Sequence, residues 1–183
     1  MSASEGFKWG AFSGAIIGGS TETFLLKKAT QSGLSMNDAA RIQLDSNLPV
    51  DIIGEFHSVD EYLIYKEAGL QAVFTKGRTA LVPDIDLDYI TKLPDGREVT
   101  NFTRMQMGMA PIDPLSGKVY EIHHVGQYDD GVFAVLTNNQ HRGKGNFSKI
   151  HQLWKDSPVT NEGPEWAKIK KEFWTGLAES III

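Results

Sequence analysis

The sequence predicts an α+β fold, in which short helices pack against small sheets. Two Ser-x-x-acid patterns, beginning at Ser35 and Ser58, are capping boxes, because a serine side chain accepts a hydrogen bond from an N–H of the first helical turn. They predict one helix over 36–44 and a second helix that ends at Gly69. Apolar runs on both sides of Lys76-Gly77 predict a β-hairpin.

Strands and helices continue to alternate in the rest of the chain. Residues 85–89 alternate apolar side chains with aspartates, which is typical of a half-buried strand. A strand over 118–124, a loop, a strand over 132–136 and a helix capped by Thr137 follow. Three more helical segments are predicted, at 101–108 with Asn101 as its cap, within 146–154, and from Gly163-Pro164 onward.

Composition limits the class of protein. The chain has 183 residues, 41% of them hydrophobic, which suits one domain or one domain plus an extension and excludes wholesale disorder. The absence of cysteine excludes disulfides, Cys-based zinc sites and a thiol nucleophile. A net charge of −5 argues against a general nucleic-acid coating protein, but it allows an enzyme with a local basic cleft. We expect no stable membrane insertion and no secretory signal, since neither a long apolar run nor a basic leader is present.

The first residues differ in character from the rest. Gly10, Gly14 and Gly18 fall four residues apart, a spacing that lets helices approach closely and would suit a membrane-active segment. The polar residues 20–23 interrupt the apolar run, so a connector is the favoured interpretation. We therefore divide the chain into an N-terminal extension with short helices, 1–54, and a functional domain, 55–183.

Histidines are the main candidates for chemistry. Four of the five lie within 29 positions, and neighbouring side chains on a strand point to opposite faces. His123 could thus face a metal while His124 faces a substrate, and His141 and His151 follow close behind. Each histidine alone is more often a core or surface residue than a ligand, but the grouping of four shifts that balance, so the residues by themselves leave both interpretations open.

Five short motifs follow one another along the chain, at 104–111, 117–118, 121–127, 136–143 and 171–174. This ordered series resembles the LHH group of the HNH/endonuclease VII superfamily, which are nuclease domains at the C-termini of bacterial polymorphic toxins. Ile122 stands where the group's name implies leucine, and the likeness spans about residues 57–180. The Gly/Ala-rich start also resembles segments that precede such toxin modules, which suggests a piece of a longer secreted protein.

The resemblance implies a ββα-metal (HNH, or His-Me finger) core at about 100–160, with added N-terminal helices and a small sheet. It assigns His123 as a ligand of one divalent ion (Mg²⁺, Mn²⁺, Zn²⁺ or Ni²⁺), His124 as the general base and His141 as a second ligand. The third ligand stays open between His151 and Asn146.

Other residues near the histidine motif are candidates for supporting roles, and for some of them two roles are open. Glu121 lies on the same strand face as His123 and either orients a ligand imidazole or is a plain surface carboxylate. Gln127 either bonds within its loop or touches substrate, and His57 is expected to be structural. Four basic residues lie close to the motif and would contact phosphates: Arg104, Arg142, Lys144 and Lys149. Arg142, beside the candidate ligand His141, is the best of them, whereas Lys144 and Lys149 are more often simple solvated charges. Four aromatic residues could stack on bases, but their spacing predicts core positions: Trp154, Trp166, Phe173 and Trp174.

These expectations combine into one function. We expect a metal-dependent endonuclease toxin, with DNA preferred over RNA and little sequence specificity, because no base-reading element is present. The resemblance implies a cognate immunity protein, and delivery as a secreted effector into the cytoplasm of a competing bacterial cell. The alternatives are an RNase toxin on the same fold and a non-enzymatic, metal-stabilised interaction module.

Overall fold

The computed structural model describes residues 32–154, 159 and 161–181. The small-residue segment with its glycines four apart lies outside the described residues. The helices are α1 (Met36–Ser46), α2 (Val50–Ile53), α3 (Val59–Glu67), α4 (Asn101–Gln106), α5 (Asn138–Arg142), α6 (Phe147–Ile150) and α7 (Gly163–Ser180). The strands are β1 (Gln71–Thr75), β2 (Arg78–Val82), β3 (Ile90–Lys92), β4 (Glu98–Thr100), β5 (Glu121–His124) and β6 (Phe133–Leu136).

A four-stranded mixed sheet in the order β1-β2-β6-β5 forms the centre. The hairpin β1–β2 and the pair β5–β6 are antiparallel, and the parallel pairing of β2 with β6 joins them. A separate two-stranded sheet consists of β3 and β4. The α+β class predicted from the sequence is confirmed.

Strand β6 separates two hydrophobic layers, because alternate side chains of a strand point to opposite faces. Ala134 and Leu136 pack with helices α1 to α3, whereas Phe133 and Val135 pack with α7. All four residues of β6 are buried. The neighbouring strand β5 therefore also has one face toward each layer, which decides where its side chains lie.

Part of the predicted N-terminal extension builds the first of these layers. Leu34, Ile42 and Ile52 are buried in the same cluster as Ala134 and Ile150. The described residues before 55 are thus part of the core beside the candidate site, while the division of the chain at residue 54 stays a prediction.

Local capping signals are matched by the observed helix starts. The N–H of Asp38 donates to the Ser35 hydroxyl oxygen at 3.0 Å, and that of Glu61 donates to the Ser58 hydroxyl oxygen at 3.0 Å. These bonds satisfy N–H groups that a helix cannot pair internally. Among the described helices, none has the length and apolar character needed to cross a bilayer.

The predicted strand over 85–89 is wrong. The Asp86 carboxylate accepts from the N–H groups of Asp88 and Tyr89, both at 3.1 Å, and this side-chain bonding makes a turn. The next strand begins only at Ile90.

The predicted cap of the following helix is also wrong. Thr100 caps α4 by accepting from the N–H of Thr103 at 3.1 Å. Asn101 is instead fully buried, and its amide nitrogen donates to the backbone oxygens of Asp86 and Ile112 at 2.8 Å each.

One segment near the site is shorter than expected, and another forms the single turn of helix that was predicted. The ladder of β5 covers only Glu121–His124, and the helix expected within 146–154 is the single turn Phe147–Ile150. Trp154, predicted in the core, is 80% exposed, since it follows this turn instead of lying on a buried helix face. Trp166, Phe173 and Trp174 are buried as predicted.

Candidate functional site

The site is built on the unit β5–β6–α5, which has the ββα order that the resemblance implies. Strand β5 ends in His123 and His124, which pair in register with Ala134 and Phe133. Thr137 starts α5 with a capping box. The N–H of Gln140 donates to the Thr137 hydroxyl oxygen at 3.3 Å, and the N–H of Thr137 donates to the Gln140 side-chain oxygen at 2.8 Å. This cap fixes the short helix that carries His141.

Three histidines converge on one face of β5, the face that carries His123. The centroids of the imidazole rings lie 5.2 Å apart for His123 and His141, 4.7 Å for His123 and His151, and 5.3 Å for His141 and His151. One ring nitrogen from each lies within 4.8 Å of the others, and such a group could hold a metal ion. The structure thus brings His151 to the two other predicted ligands.

The hydrogen bonding of these rings fits a metal centre. The Nε2 atoms of His123 and His141 are buried and have no hydrogen-bond partner among the described residues. Buried polar atoms are rarely left without a partner, because the loss of hydration is costly. Nδ1 of His151 lies 2.9 Å from the Phe147 carbonyl oxygen, so a proton on Nδ1 would leave Nε2 as a ligand. A divalent ion that prefers nitrogen ligands would satisfy all three rings.

Glu121 contacts the cluster through Nδ1 of His141, the ring nitrogen that is not available to the candidate metal. Its carboxylate lies 2.5 Å from Nδ1 of His141 and accepts from the Arg142 Nε at 2.8 Å and the Asn138 side-chain amide at 3.0 Å. Burial raises the pKa of Glu121, but the hydrogen bonds from Asn138, His141 and Arg142 outweigh this effect and hold it below its usual value. An ionised carboxylate on Nδ1 keeps the proton there and leaves Nε2 of His141 free to bind a metal.

Burial also prepares the three imidazoles for ligation. It lowers the pKa of His123 well below the usual value and lowers those of His141 and His151 as well. The charge of the neighbouring histidines acts in the same direction on His123 and His141. The rings are therefore neutral near pH 7, which is the form that binds metals.

His124 lies on the opposite face of β5. Its ring centroid is 4.8 Å from that of Phe133 and 5.0 Å from that of Trp166. Burial, aided by the positive charge of Arg78, lowers the pKa of His124 to about 4. The ring is therefore neutral near pH 7, which is the form that a general base requires.

A cleft of about 580 Å³ joins the two faces at the end of β5. All four histidines, His123, His124, His141 and His151, border it, and Arg142 adds a positive charge. Residues of α6, of the loop before α7 and of α7 itself complete its walls, including Phe147, Leu153, Glu162 and Trp166.

The remaining predicted residues divide between the cleft and other places. Gln127 borders the cleft but is buried, and its side-chain oxygen accepts from the Gln152 N–H at 2.6 Å. Asn146, Lys144 and Lys149 do not border it, and the Asn146 amide donates to the Asn139 carbonyl oxygen at 3.3 Å.

Arg104 also lies outside the cleft lining. Its Nε donates to the Ala110 backbone oxygen at 2.9 Å, and burial lowers its pKa. The roles proposed for Arg104, Lys144 and Lys149 in phosphate binding stay predictions.

Sequence reasoning missed Asn138 as a residue of the site, and it missed the contact between Trp166 and His124. Asn138 donates to Glu121 and accepts from Lys118 at 2.9 Å, and Trp166 packs against His124. Asn138 stands three residues before His141, which places both on one helix face, so the spacing could have indicated it. The contact with Trp166 is carried by no local signal, since the residue is 42 positions away in sequence.

The predicted family resemblance is confirmed by comparison with known proteins. Residues 100–180 match the model of the family LHH, described as a nuclease of the HNH/ENDO VII superfamily with conserved LHH. The match includes β5, β6, α5, α6 and α7, and therefore the four histidines of the cleft. No curated protein and no solved structure matches the chain.

Proposed function

Since residues 100–180 belong to the LHH family of the HNH/endonuclease VII superfamily, we propose that the protein is a metal-dependent endonuclease that cleaves DNA in preference to RNA. The family supports a nuclease. The observation that carries metal dependence is the pair of buried, unpartnered Nε2 atoms of His123 and His141, with His151 beside them.

The two faces of β5 divide the work of phosphodiester hydrolysis. On one face His123, His141 and His151 would hold the ion, which when bound neutralises charge that develops on the phosphoryl and leaving oxygens. On the other face His124 would take a proton from the attacking water. Because neighbouring strand residues point apart, the proton acceptor is kept off the metal.

The low pKa of His124 describes the free protein. A phosphate in the cleft brings negative charge, and negative charge favours the imidazolium form. Substrate binding would thus raise the pKa of His124 toward the working pH and make it a stronger base. Arg142, held at the rim by Glu121, is placed to contact a phosphate oxygen.

The direct test is cleavage of supercoiled plasmid and of total RNA by purified protein, with and without a chelator. We expect plasmid to be nicked and linearised only with metal, and His124→Ala to lower the rate by about 10²–10⁴ while metal still binds. Circular dichroism of the variant checks that it is folded. RNA degraded with plasmid intact would reverse the substrate assignment, and no cleavage of either by folded, metal-loaded protein would support an interaction module.

We further propose that the nuclease is a toxin, secreted, active in the cytoplasm of a competing bacterial cell and neutralised in its producer by an immunity protein. The motif series and the Gly/Ala-rich start support this role. Expression of the chain in a bacterial cytoplasm should stop growth, whereas His124→Ala should permit it. Normal growth with a wild-type chain that cleaves DNA in vitro would contradict the toxin role.

A further inference from the structure

The loop that leaves β5 has an unusual backbone at Gln127. Gly126 and Gln127 are both left-handed, with φ of 68° and 59°. This conformation is disfavoured for a residue with a side chain and usually occurs at surface turns. Of the other described non-glycine residues with positive φ, Asn47 ends a helix and Lys76 lies in a hairpin turn, whereas Gln127 is buried.

The buried side chain of Gln127 is directed to one partner. Its Oε1 accepts a hydrogen bond of 2.6 Å from the backbone N–H of Gln152, which is 25 residues away in sequence. Gln127 and Gln152 are 7% and 8% exposed, so little water competes for this bond. Gln152 directly follows His151, and the bond therefore fixes the chain at the third candidate ligand.

Each of the three imidazoles has a different support. His123 is held by strand pairing with Ala134, and His141 by the carboxylate of Glu121. His151 follows the one-turn helix α6, where the backbone becomes extended at φ −115°. Its own hydrogen bonds, donated by the backbone N–H and by Nδ1, both go to the Phe147 carbonyl oxygen within that turn. The hydrogen bond from the Gln152 N–H to Gln127 links the segment around His151 to the loop that follows β5.

We propose that Gln127 is a positioning residue, which sets the place of His151 relative to His123 through the backbone of Gln152. The inference rests on the metal site of the proposed function. The left-handed backbone at Gln127 aims the amide inward, and the amide oxygen holds the third ligand at the edge of the cleft. Loss of that oxygen would free His151 and weaken the site without removing any ligand.

The test is titration of chelator-treated protein with Zn²⁺ alone by calorimetry. Gln127→Met keeps the length and removes the acceptor, and we expect affinity to fall about tenfold or more. Gln127→Glu keeps an acceptor and should bind at least as tightly as wild type. If Gln127→Met does not fold, Gln127→Asn, whose shorter amide cannot reach Gln152, should show the same loss.

A double-mutant cycle separates positioning from a general structural role. In a His151→Ala background, Gln127→Met should change Zn²⁺ affinity less than twofold, because the ligand it positions is gone. Equal affinities of Gln127→Met and wild type, or the same loss in both backgrounds, would overturn the inference. Failure of the wild type to bind Zn²⁺, Mn²⁺ or Ni²⁺ would instead refute the proposed metal site.

Discussion

Replacing Glu121 by glutamine should weaken metal binding while every ligand stays in place. The carboxylate has three hydrogen-bond donors: His141 Nδ1 at 2.5 Å, the Asn138 amide at 3.0 Å, and the single Nε–H of Arg142, which is shared between the two carboxylate oxygens at 2.8 and 3.1 Å. Glutamine offers one acceptor oxygen and turns an amide NH₂ toward the remaining donors. At least one of the three donor side chains therefore loses its acceptor.

The size of the effect follows from these contacts. Outer partners of a ligand imidazole are typically worth about 10–100-fold in metal affinity, or about 1.4–2.8 kcal/mol. A hydrogen bond to a charged group contributes about 1.5–3 kcal/mol, and exposure of Arg142 reduces its share here. We expect Glu121→Gln to bind Zn²⁺ about 10–100-fold more weakly than wild type. We also expect the metal-free variant to unfold at a lower urea concentration than metal-free wild type.

Calorimetric titration measures the affinity, and Glu98→Gln is the matched control. The substitution Glu98→Gln makes the same chemical change on a side chain that is 63% exposed. This side chain lies in the separate sheet, with its carboxylate 3.7 Å from Lys92 Nζ. The control should bind Zn²⁺ as wild type does. If Glu121→Gln also binds within twofold of wild type, the reasoning that Glu121 orients His141 is refuted.

Further predictions concern stability. The pKa of His124 is about 4 in the folded chain against 6.5 for the free side chain, so the unfolded chain binds more protons as pH falls below about 6.5. Between pH 7.5 and 5 the metal-free protein should lose about 2 kcal/mol of unfolding free energy because of this group. Urea melts of His124→Gln should show a smaller loss over the same range. A pH dependence equal to that of wild type would contradict the low pKa of His124. Trp174→Ala should cost about 3–5 kcal/mol of unfolding free energy because the ring is 2% exposed, and Trp154→Ala, at 80% exposed, should stay within about 0.5 kcal/mol. Similar urea midpoints for the two tryptophan variants would show that the burial is misassigned.

The features that the sequence predicts best are those decided by nearby residues. The caps at Ser35, Ser58 and Thr137 depend on side chains within three positions, and all three form. The strand–loop–strand–helix order around the histidines is also local, since it follows from apolar runs and one cap. This order indicates that His123, His124 and His141 lie close together, whereas their roles in a site come from the family resemblance.

Features set by distant contacts escape such reasoning. The parallel pairing of β2 with β6 joins residues about fifty positions apart, and no local pattern encodes it. The apolar–acidic alternation at 85–89 looked like a strand, but the Asp86 carboxylate bonds to the next backbone N–H groups and makes a turn. The position of His151, and not Asn146, beside His123 and His141 is set by where a one-turn helix places each side chain, which spacing alone does not determine.

Anomalous diffraction from a crystal of this protein grown with Zn²⁺ or Mn²⁺ tests the central claim most directly. We predict a single peak in the cleft, among the Nε2 atoms of His123, His141 and His151, with His124 outside the coordination sphere and the remaining positions open to solvent. A cleft without a peak in metal-saturated crystals, or an ion bound by His124, would contradict the division of ligands and base between the two faces of β5.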